Sequence, residues 1–190
     1  MKKFNFTAIY ILVFALFITA CDDNNKQESS SENAEKVDTN SREGLKKKIA
    51  EHEAALYSDS LSTFNQRAAN LAMKAYDKYA FSFPEDEISA DYLFKAGEVA
   101  VSLGMYGKAV IYYRKIIADY KDYEKVGYAH FMLGFINDQY IQNFESAKTY
   151  YEEFIAKYPE HVMVKDAKVL VQNLGKSDEE LIKEFEAKMN

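Results

Sequence analysis

A chain of 190 residues with 48% hydrophobic and 28% charged residues has ordinary globular composition and is long enough to bury a core of its own. Seven glycines and two prolines are few for a turn-rich β protein, and a single cysteine excludes an internal disulfide. The formal net charge of −6 argues against non-specific nucleic-acid binding, which needs lysine and arginine to displace counterions, so no nucleic-acid partner is expected.

Lys2 and Lys3 form a short basic start, and residues 4–18 are a mostly apolar run broken by Asn5 and Thr7. The run is short for a membrane span and has the size and flanks of a secretory signal. Ala20, a small residue, precedes Cys21. Ile18-Thr19-Ala20-Cys21 resembles a bacterial lipoprotein signal: an aliphatic residue, two smallish residues, then cysteine. The resemblance implies diacylglycerol on the Cys21 sulfur, cleavage after Ala20 and acylation of the new amino group. Each buried methylene contributes ~0.8 kcal/mol, so several acyl chains together anchor stably to a membrane. The competing reading is an ordinary signal, or an anchor helix in which Cys21 is incidental.

Residues 22–42 are polar, lack aromatics and contain one valine, the composition of a disordered tether. Such a tether reaches ~70 Å when extended and ~25 Å on average. The expected division is therefore a signal peptide at 1–20, a lipidated cysteine and tether at 21–42, and a folded domain at 43–190. Asp22 and Asp23 resemble sorting signals both for inner-membrane retention and for surface export, and do not choose between them.

From Glu43 onward apolar residues recur at three- and four-residue spacing and strict alternation never lasts, which predicts an all-α domain. The expected helices cover about 43–57, 62–80, 89–103, 106–120, 125–140, 143–157, 163–174 and 177–189. Ser177 with Glu180 three residues on is a capping box for the last of these. Gly175 is a C-cap for the one before it.

A period of about 37 residues runs through this pattern. Pro84 and Pro159 lie 75 residues apart, and Lys121 holds the equivalent place between them. Twelve residues upstream of these three positions stand Ala72, Ala109 and Ala147, and four residues after each alanine stands Tyr76, Tyr113 or Tyr151. Gly97 and Gly134 stand thirteen residues after Pro84 and Lys121. Small residues at Gly97, Ala109, Gly134 and Ala147 would let paired helices approach closely, with Tyr113 and Tyr151 filling the gap beside them. A proline after the second helix ends it. Gly134 to Ala147 is one residue longer than Gly97 to Ala109, so an extended inner turn is expected near Gln142 and Asn143.

This register resembles the tetratricopeptide repeat, a helix–turn–helix unit that stacks into arrays. One unit runs from about Ala90 to Tyr123 and the next from about Gly127 to His161. An earlier unit matches in its second helix, and a capping helix follows at the end, giving about three repeats plus capping helices. Behind a lipoprotein signal, such an array is similar to the outer-membrane assembly lipoproteins and the coordinator proteins of the Tol–Pal system. The resemblance implies a membrane-anchored, non-enzymatic scaffold of the bacterial cell envelope, on the outer rather than the inner membrane. Its partners would be other envelope proteins or peptide segments. The alternative is an envelope enzyme, or a lipoprotein that binds a soluble glycan or peptide.

The residues themselves offer little for catalysis. His52, His130 and His161 form no close-spaced pair, and no phosphate-binding loop, H-E-x-x-H or G-x-S-x-G motif is present. No catalytic residue, metal or cofactor is assigned. The tyrosines at 106, 112, 113, 120 and 123 read as packing between helices rather than as a glycan-stacking surface.

The helix at 125–140 carries two apolar stripes. Val126, Ala129, Leu133, Ile136 and Tyr140 suit packing inside the repeat. The other stripe is Tyr128, Phe131 and Phe135, continuing into Asp138. By resemblance, its equivalents line the concave groove of the array. The matching residues are Asp91, Phe94, Glu98 and Val101 in the preceding unit, and Asp166, Val169 and Asn173 in the next helix. The candidate partner-binding groove is therefore Asp91, Phe94, Glu98, Tyr128, Phe131, Phe135 and Asp138, aromatic and acidic. The same aromatics could instead be covered by a neighbouring helix.

Overall fold

The computed structural model describes residues 38–56 and 65–189. The expected signal segment, Cys21 and most of the expected tether lie outside the described residues, as do residues 57–64, which include the expected start of the second helix. The described residues form eight α-helices in order: α1 Arg42–Leu56, α2 Gln66–Ser82, α3 Ile88–Ser102, α4 Tyr106–Asp119, α5 Val126–Ile136, α6 Phe144–Lys157, α7 Val164–Asn173 and α8 Asp178–Met189. A π-helical turn, Asn137–Ile141, extends α5. Among the described residues there is no strand, and the domain is the all-α repeat array that the sequence pattern predicts.

Each helix from α1 to α6 packs on the next. Local signals set the ends. Asn65 caps α2 by accepting from the Ala68 N–H at 3.0 Å, and Asn143 caps α6 by accepting from the Ser146 N–H at 3.1 Å. Ser41, in the stretch read as tether, accepts from the Gly44 N–H at 3.1 Å and caps α1. Gly175 adopts φ +72 after α7, and the Ser177 N–H donates to the Glu180 carboxylate at 2.8 Å ahead of α8, as the C-cap and capping-box readings require.

The repeat is written most plainly in its turns. Phe83, Tyr120 and Tyr158 end α2, α4 and α6 at φ −134, −125 and −129, with ψ 62, 60 and 57. Their N–H groups donate to the carbonyls of Tyr79, Ile116 and Phe154. Three residues on, the N–H groups of Asp86, Tyr123 and His161 donate back to these capping residues at 3.0–3.1 Å. Lys121 therefore occupies the same turn as Pro84 and Pro159, and proline is not required to make it.

Close approach within each pair follows from the glycines. A Cβ on Gly97 would lie 2.7 Å from the Tyr113 ring, and one on Gly134 would lie 2.5 Å from the Tyr151 ring. Ala109 and Ala147 are fully buried beside them. Tyr113, Tyr151 and Phe154 are buried completely, each contributing ~1.5–3 kcal/mol through apolar burial. One apolar cluster runs from α1 to α5 and a second from α5 to α7, with Met132 and Tyr158 packed against both.

Candidate functional site

The extra residue between Gly134 and Ala147 is accommodated in the π turn. Asn137 accepts from the Gln142 N–H and, at 2.8 Å, from the Asn143 N–H. Gln142 then takes φ 57, a left-handed conformation, before α6 begins. The inner turn is thus longer where the spacing predicts it, and a π turn at that point redirects the side chains that follow α5.

Phe131, Met132 and Phe135 of α5 face Met163, Asp166, Val169 and Leu170 across an open cavity of about 510 Å³ between α5 and α7. Two of the candidate groove residues, Phe131 and Phe135, meet there, together with Asp166 and Val169 from the matching set. Phe131 is 6% exposed, and its ring lies 6.2 Å from Phe135, 5.8 Å from Tyr151 and 5.7 Å from Phe154. It forms the floor of the cavity and belongs to the core as well. Phe135 is half-buried and edges onto Tyr140, which stacks on Tyr106 at 4.3 Å. Tyr128 is exposed and meets the His161 ring edge-on at 4.3 Å.

The other candidates lie elsewhere, on α3 and in the π turn. Phe94 is buried in α3, edge-on to Tyr113 at 5.5 Å, with the Lys125 ammonium 5.4 Å above its ring. Asp91 accepts from the Tyr123 hydroxyl at 2.7 Å and pairs with Lys125 at 3.7 Å, beside a separate recess at the inter-repeat turn. Glu98 lines a third recess with Glu53, Lys95 and Tyr76. Desolvation raises its carboxyl above the ordinary range, against the pull of Lys125 and Lys95. Asp138 is buried in the π turn and accepts from Gln139 Nε2 at 2.9 Å. The seven residues therefore do not share one pocket.

Met132, Met163 and Leu170 complete the cavity and fall outside the stripe read from the sequence. Met132 lies about 100° around α5 from Phe131, so a single stripe misses it. Met163 stands at the start of the expected helix and proves to be the residue just before α7, outside the stripe. Methionine's pliable thioether suits a surface that adapts to its occupant.

His130 and His161 pack against neighbouring rings. His130 is 2% exposed, and its Nδ1 donates to the Val126 carbonyl at 3.2 Å, because a carbonyl can only accept. Its Nε2 then accepts from the Lys157 ammonium at 3.4 Å, with Glu153 at 3.9 Å. Burial lowers the His130 pKa, and Lys157 adds to that effect. His161 is half-buried, and its Nδ1 accepts from the Met163 N–H at 3.2 Å. Among the described residues no group of three or more metal-ligating side chains converges.

Residues 91–123 and 128–161, which are α3–α4 and α5–α6 with their following turns, match the family model of the tetratricopeptide repeat. These two helix pairs are thus similar to tetratricopeptide repeats, whose arrays generally mediate protein–protein interaction, and the fold is a helical repeat array of that kind. No curated protein and no solved structure matches the chain.

Proposed function

We propose that this protein is a membrane-anchored, non-enzymatic interaction scaffold of the bacterial cell envelope, held on the outer membrane by lipid on Cys21. In this reading it presents its inner face to a polypeptide segment of an envelope partner. The observation that carries the binding surface is the open apolar cavity of Phe131, Met132, Phe135, Met163, Val169 and Leu170 between successive inner helices. Val169 is 54% exposed there, an apolar side chain left in water. Lipid anchoring is supported by the order of residues 18–21 after an apolar run.

Two experiments test this reading. Cys21→Ser should leave the membrane fraction after cell fractionation; a variant that still pellets and is cleaved normally would defeat the lipoprotein assignment. Phe131→Ala combined with Phe135→Ala, shown to be folded by circular dichroism, should lose the envelope proteins captured by the wild type. Apolar anchors of this kind usually carry ~2 kcal/mol or more of an interface. Substitution at exposed Lys148 is the control. Undiminished capture by the double variant would move the binding surface elsewhere.

A further inference from the structure

The apolar cavity continues into a polar one. Leu170 lines both the cavity above and a second recess of about 530 Å³ that carries Asp138, Gln139, Gln142, Asn173 and Lys176. Asp138 is 8% exposed. Its carboxylate accepts from Gln139 Nε2 at 2.9 Å and from the Tyr151 hydroxyl at 3.5 Å, both neutral donors. Among the described residues no ion pair includes Asp138, and Lys176, the cation of the same recess, is paired with Glu184 at 2.7 Å. The repeat register places Val101, an apolar residue, at the equivalent position of α3. The carboxylate is therefore peculiar to the unit whose inner helix widens into a π turn.

A buried carboxylate is costly unless a cation meets it. Here the charge lies at the end of an apolar groove whose own lining contains Asp166 and no lysine or arginine. We propose that the groove takes a polypeptide segment bearing an apolar anchor with a lysine or arginine close beside it. The anchor fills the cavity at Phe131, Phe135 and Leu170, and the cationic head meets Asp138. A long basic side chain fits this path, since its methylenes cover Leu170 while its charge reaches the polar recess. A second copy of this chain is the poorer occupant, because the chain is acidic overall at −6. The inference rests on the reading of this face as the partner surface and adds the chemistry that the face selects.

The test starts from random twelve-residue peptides displayed on phage and selected against the full chain in detergent micelles. Selected peptides should share an apolar residue with lysine or arginine at a fixed short spacing. One such peptide is then synthesised with its basic residue and with norleucine in its place. The norleucine form should bind the wild type about tenfold more weakly, with a smaller salt dependence. Asp138→Asn should bind both forms equally, while Phe135→Ala should weaken both. If Asp138→Asn fails to fold, the two peptides on the wild-type protein still decide. An apolar consensus without a basic residue, equal affinity of the two peptides, or a preference that survives Asp138→Asn would overturn the inference and leave the groove standing. Enrichment that is indifferent to Phe131→Ala and Phe135→Ala would overturn the groove reading and this inference with it. A concentration-dependent dimer dissolved by Phe135→Ala would assign the groove to a second copy and overturn it too.

Discussion

Gly134 and Tyr151 form one fitted pair, and Gly97 and Tyr113 repeat it. The ring occupies the space a Cβ would need, and Tyr151 is fully buried, so it has nowhere to retreat. Gly134→Ala should therefore destabilise the protein by ~1–3 kcal/mol, despite alanine's better helix propensity. Gly107→Ala is the matched control, since a Cβ at Gly107 of α4 meets nothing within 4 Å. It should stabilise by about 0.5–1 kcal/mol. Thermal unfolding followed by circular dichroism separates the two, and a Gly134→Ala midpoint at or above the wild type would refute the fit. This pairing was legible in the sequence because both partners recur at a fixed spacing. The state of the Tyr113 hydroxyl was not. It is buried without a hydrogen-bond partner among the described residues, whereas the equivalent Tyr76 hydroxyl donates to Glu53 at 2.7 Å. That difference depends on α1 bringing Glu53 alongside, a long-range fact that no local pattern encodes.

Packing between α5 and α6 introduces a pH dependence. His130 is held neutral between the Val126 carbonyl and Lys157, and its pKa lies below the ordinary histidine value chiefly because of burial. The unfolded chain takes up a proton near pH 6.5, while the folded site resists it. The stability that the neutral ring provides is therefore present above that pH and is lost as pH falls below it. His161, also lowered by burial, acts in the same direction. Asp77 and Glu98, whose carboxyls burial raises, act in the opposite one. Comparing wild type with His130→Gln isolates the single ring, since the other groups remain in both. Urea midpoints should fall less in the variant than in the wild type between about pH 7 and pH 5.5, and parallel profiles would rule the effect out. Most helix ends were legible to within a residue or two from periodicity and capping residues, but α2 begins at Gln66 rather than near 62, and α5 gives way to the π turn at Asn137 rather than running on to 140. The candidate groove was legible only in part. Phe131 and Phe135 follow the helical period, but Met163 enters from a turn, and Asp91 and Glu98 were separated into different recesses by the tyrosine and lysine side chains between them.

Across the whole array, stability is distributed by neighbour contacts, as in other stacked repeats. The second apolar cluster ends at Leu174, and the Ile182 side chain of α8 is 58% exposed. The described contacts of α8 include its capping box and the Lys176–Glu184 pair, solvent-facing interactions that contribute little. Ending the chain after Lys176 should leave the main unfolding midpoint almost unchanged, and amides of α8 should exchange fastest among the helices. A large loss of stability on truncation would show α8 to be part of the cooperative unit.

The π turn has a consequence at this same scale. The spacing of the capping residues grows from 37 to 38 between Phe83–Tyr120 and Tyr120–Tyr158, yet the three turns keep the same dihedral angles. The surplus residue is confined to the bend inside one unit and never reaches the joints between units. Each unit thus behaves as a part with standard couplings, whose inner face can be rewritten, by an insertion as readily as by a substitution, without re-cutting the parts on either side.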